Sequence, residues 1–63
     1  MREYNVYMGG SLEPIRSFLS VELAIMYAKG LAAEWKDEPA AFPIEVVIQG
    51  ECEKAGPIWT ITG

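Results

Sequence analysis

The sequence predicts an α+β domain: one amphipathic helix packed on a three- or four-stranded, mainly antiparallel sheet, in the order β-(β)-α-β-β. Three observations predict it. Apolar and polar residues alternate with period two near both ends of the chain. The middle, Phe18 to Lys36, carries apolar residues at helical spacing instead. Glycines and prolines punctuate the joints.

The first strand is Arg2 to Met8, where Tyr4, Val6 and Met8 alternate with Glu3, Asn5 and Tyr7. Gly9-Gly10 follows, suited to the positive φ angles of a tight turn. The return, Ser11 to Ser17, is either a second strand or an irregular arm. Pro14 lacks an N–H for a ladder, so a strand here belongs at an edge. Ser20 is placed to cap the helix, with Glu22 in the first turn where the dipole favours an acid. Pro39 stops the helix. Asp37 and Glu38 carry the wrong sign for its C-terminal end, so that end should fray. Phe42 to Gln49 is the strongest strand, with Ile44, Val46 and Ile48 pointing one way and Glu45, Val47 and Gln49 the other. Pro57 to Thr62, rich in β-branched and aromatic residues, closes a hairpin with it across the polar loop Gly50 to Gly56.

Length and composition bound the function. Sixty-three residues make a single domain, 1–63, and 51% apolar content is enough for a packed core. A domain this small leaves much of its surface unburied, so many such chains need a staple. One cysteine, Cys52, allows no internal disulfide, and with no histidine no four-ligand zinc set exists. The remaining sources of stability are an idealised core or a second copy of the chain. No apolar run reaches the ~18–20 residues of a membrane span, and Met1 to Tyr4 does not open a signal peptide. A reducing cytoplasmic setting without membrane partners is the simplest expectation.

Chemistry is scarce. Without histidine there is no Ser-His or Cys-His catalytic pair. Cys52 sits between Glu51 and Glu53, and flanking carboxylates disfavour a reactive thiolate. The carboxylates Glu34, Asp37, Glu38, Glu51 and Glu53 read as a solvated edge; Gly9-Gly10 lacks the GK[ST] of a phosphate loop. No catalytic residue, cofactor or metal ligand is assigned, and no motif is specific to a family. The net charge is −4, with five basic residues scattered along the chain. That balance argues against a nucleic-acid backbone as partner, which calls for a basic stripe. Aromatics on the sheet, Tyr7 and Trp59, nevertheless keep single-strand stacking as the alternative function.

The helix raises the sharper question. At about 100° per residue, its apolar residues cover roughly 200° of arc, against the ~100° that one sheet contact needs. Either the arm covers Leu23 and Tyr27 through Leu12, Ile15 or Phe18, or part of this surface meets another chain. Met26, Gly30 and Ala33, spaced i, i+4, i+7, lie within the polar side; Met adapts to partners and the small residues admit a second backbone. The far side of the sheet poses the same question. It should show Tyr7, Val47 and one register of the last strand: Trp59 with Ile61, or Ile58 with Thr60 and Thr62. The expected function is a non-enzymatic protein-interaction module, a homodimer or a docking partner of another protein. Met26, Gly30, Ala33, Tyr7, Val47 and Trp59 are its candidate contact residues. A phage or mobile-element accessory or inhibitor role is compatible with the size.

Overall fold

The computed structural model describes residues 2–50 and 56–63; Cys52, Glu51 and Glu53 lie outside the described residues. The expected α+β architecture is present. In chain order it runs β1 (Tyr4–Met8), β2 (Arg16–Phe18), α1 (Val21–Glu34), a short 3-10 turn (Pro39–Ala41), β3 (Ile44–Ile48) and β4 (Trp59–Ile61). The four strands form one sheet in the order β2-β1-β3-β4, every neighbouring pair antiparallel. β2 and β3 therefore run parallel on either side of β1. Parallel strands need a long crossover, and α1 is that crossover.

The central strands are the two five-residue ones with clean alternation. Their register places Tyr4 opposite Ile48, Val6 opposite Val46 and Met8 opposite Ile44. Directly opposed residues share a face, so these six make the side that meets the helix. Val6, Ile44 and Val46 are fully buried there against Ala24 and Ala28. The two alanines let the helix backbone sit close to the sheet. Each fully buried aliphatic residue contributes about 1.5–3 kcal/mol.

The helix is shorter than the periodicity suggests. Phe18 is the last residue of β2, and Ser20 is the N-cap, its Oγ accepting from the Leu23 N–H at 3.4 Å. The C-terminal end falls at Glu34, with no basic residue in the last turn, so Lys36, Asp37 and Glu38 lie beyond it. β2 is also short: of the Ser11–Ser17 stretch, only Arg16 and Ser17 belong to the strand, and the chain before Ile15 is an irregular arm. Both edge strands open on the same device. Ile15 donates to Val6 O although Arg16 is the register partner of Val6. Ile58 likewise donates to Val46 O, although Trp59 is the partner of Val46 (both 2.8 Å). Two residues thus address one, as in a β-bulge. Three-residue, bulged edges are poor templates for pairing with another chain.

One glycine is required by packing. Gly9 has φ +62, and a Cβ there would collide with the Ala40 carbonyl oxygen. Its N–H donates to Pro43 O at 3.0 Å. The turn after β1 is thereby pressed against the segment that leads into β3.

Candidate interaction surfaces

A helix on a sheet leaves two faces without a covering layer: the far side of the helix and the far side of the sheet. The sequence offers both as contact surfaces, and the structure treats them differently.

The sheet's outer face is built from two cross-strand rows. Ser17, Asn5 and Val47 form one; Tyr7, Glu45 and Thr60 form the other. All of these except Val47 carry polar groups. The Ser17 hydroxyl donates to Asn5 Oδ1 at 2.6 Å, tying β2 to β1. Val47 is only 5% exposed, so it has little surface to give a partner. Trp59 is not on this face. It lies opposite Val46 and packs against the core, with Ile61 opposite Ile44. Of the two registers that the sequence leaves open, Trp59 with Ile61 is the inward one and the outward one carries Thr60, while Tyr7 and Val47 lie on the outer face as expected. Tyr7 and Trp59 fall on opposite sides of the sheet, so they make no common stacking platform.

The arm also runs elsewhere than expected. Leu12 is 97% exposed and borders a shallow hollow of about 260 Å³ on the outer face, with Tyr7, Glu45, Val47 and Pro57. It does not reach the helix flank. Of the three expected covers, Phe18 does reach Tyr27, from the end of β2: their rings lie 5.3 Å apart, and the Arg16 guanidinium sits 5.7 Å from the Tyr27 ring centre and 5.6 Å from that of Phe18. These are cation–π distances. Phe18 thus covers half of the flank expected to lie under the arm, and Leu23 remains 53% exposed.

The helix's far side is consequently open. Met26 is 68% exposed, and Gly30 and Ala33 are exposed as well. Nothing lies within 4 Å of where a Gly30 Cβ would be. Leu23 joins them; Leu19, which is 63% exposed, lies ahead of the extended Ser20 cap and outside the helix. Leu23, Met26, Gly30 and Ala33 step by three, four and three. On the helix this is a stripe about 80° wide, centred opposite Ala24 and Ala28. Steps of four and three are those of a heptad seam. That spacing is in the sequence, but Leu23 lies at the border of the wide apolar arc, where the arm is an equally good cover for it. Glu22 and Lys29, both exposed, flank the stripe on one side; Tyr27 and Glu34 flank it on the other.

A second hollow of about 260 Å³ lies below the helix's C-terminal end, between Met8, Trp35, Glu38, Ala40 and Ala41. Among the described residues no three Cys, Asp or Glu side chains gather as a metal site, and no helix is long and apolar enough to cross a membrane. No protein-family model matches the chain, and neither a curated protein nor a solved structure is significantly similar to it.

Proposed function

We propose that the chain is a non-enzymatic protein-interaction module that self-associates through the outer stripe of α1. The observation that carries this reading is the heptad spacing of four exposed residues on the side of the helix that the domain does not use. Scattered surface apolars need no explanation; an aligned seam with Leu23 and Met26 in it does. The other surfaces support the choice by contrast. The sheet edges are short and bulged, and the exposed strand residues of the outer sheet face, Ser17 and Thr60, are polar.

The seam sets the expected strength. A 14-residue helix is about 21 Å long, so one helix pair buries less than the ~800 Å² per partner of a standard interface. Dissociation in the micromolar range is expected. Light scattering on a sizing column, from about 1 μM to 1 mM, should show a monomer–dimer equilibrium. Met26→Glu would place a carboxylate from each copy in the seam and weaken association at least tenfold, with the melting temperature of the dilute monomer unchanged. A chain that stays monomeric throughout that range removes self-association as the function.

A further inference from the structure

We infer that the second copy lies antiparallel along the stripe, in one register: Leu23 against Met26 of the other copy, and Glu22 beside its Lys29. This inference rests on the self-association proposed above and specifies its geometry.

The stripe is graded. Its N-terminal end holds Leu23 and its C-terminal half holds Gly30 and Ala33, with Met26 between. A parallel pair would set leucine on leucine at one end and glycine on glycine at the other. The first crowds and the second leaves a gap, and the atoms lining a gap forfeit their dispersion attraction. An antiparallel pair related by a two-fold axis avoids both, and the patch is complementary to itself. With the axis between Leu23 and Met26, Leu23 meets Met26 twice by symmetry. Gly30 and Ala33 then lie past these layers, where their small side chains leave room for the chain that enters the second copy's helix.

Charge chooses among the registers. Glu22 and Lys29 are one heptad apart on the same flank, and both are exposed. In the proposed register each Glu22 meets the other copy's Lys29, twice by symmetry. Sliding the copies by one heptad instead sets Lys29 on Lys29 across the axis. A parallel pair sets Lys29 near Glu34 and leaves Glu22 facing Tyr27. The antiparallel arrangement also opposes the two helix dipoles.

The test is a charge exchange, read as the dimer dissociation constant at low ionic strength. Glu22→Lys and Lys29→Glu each create two like-charge contacts per dimer and should weaken association about fivefold to tenfold. The double variant rebuilds both pairs with reversed polarity and should return to within about twofold of the parent. In the slid register the double variant would set its two introduced carboxylates against each other across the axis. In a parallel pair each introduced carboxylate would lie near Glu34, so neither arrangement is rescued. Circular dichroism melts check that each variant is folded; both positions are exposed. A parent dimer whose double variant is no tighter than the singles overturns this register and leaves the self-association standing. A parent chain that never dimerises overturns both.

Discussion

The two uncovered faces of this domain begin from similar material and end differently. The sheet's outer side could have shown Trp59, Ile61, Val47 and Tyr7. The helix's outer side could have been covered by Leu12 and Ile15. In the structure the sheet turns Trp59 and Ile61 inward and keeps Ser17, Asn5, Val47, Tyr7, Glu45 and Thr60 on its outer side, while the helix keeps Leu23 and Met26 in solvent. The difference lies in the two periods. A strand has two sides, and pairing Val46 with Trp59 assigns every residue of β4 between them at once. A helix offers more positions than one sheet contact can use, so a broad apolar arc has a remainder. In this chain the remainder is in line.

The largest expected effect tests that contrast directly. Val47 and Met26 are both apolar and both candidate contact residues, yet one is buried on the sheet and the other stands clear of the helix. Val47→Glu puts a carboxylate into a site with almost no access to water. The penalty is several kcal/mol, which for a chain of this size means loss of the folded state. Met26→Glu leaves folding intact and acts on association alone. Thermal melts of the two variants should therefore separate widely. If Val47→Glu melts with the parent, the outer sheet face is open after all, and the distinction between the two faces collapses.

The next effect compares two glycines in the same way. Gly9 is held at φ +62 with the Ala40 carbonyl where a side chain would go, whereas Gly30 has empty space there. Gly9→Ala combines a left-handed conformation, costing about 1–2 kcal/mol for a residue with a Cβ, with a backbone collision that has to be relieved by moving the 3-10 turn. A destabilisation of about 2–3 kcal/mol is expected, measured as a shift of the urea midpoint. An unchanged midpoint would show that the turn is not pressed against the Pro39–Ala41 segment.

Much of the fold is legible locally. The alternation of β1 and β3, the Ser20 cap and the turn at Gly9 each follow from a few adjacent residues. The parts that are not legible depend on distant pairing. Ile58, Trp59 and Ile61 leave too little alternation to tell which side of β4 faces the helix; the fully buried Ile44 and Val46 decide it across the hairpin. The limits of β2 depend on where the chain after Gly10 rejoins β1, and Pro14 delays that until Arg16. The candidate site is half legible for the same reason. Met26, Gly30 and Ala33 are visible as a spaced set within the helix. Leu23 belongs with them only because Leu12 lies on the other side of the sheet, which no helical wheel shows.

The smallest effect is the most specific, because it carries two signs. Gly30 is exposed in the interior of α1, with nothing near its missing side chain. Alanine there should stabilise the monomer by about 0.5–1 kcal/mol, through helix propensity and a less flexible unfolded chain. In the proposed dimer the same methyl group projects toward the chain that enters the second copy's helix, where overpacking forces the helices apart. Gly30→Ala should therefore melt higher than the parent when dilute and associate more weakly when concentrated. Sedimentation and melting on one preparation would read both signs. A substitution that raised stability and association together would mean that Gly30 is an ordinary exposed helix position and that the close approach lies elsewhere along the stripe. A stabilised monomer that no longer pairs would tie the cost of a mid-helix glycine to the surface it leaves open.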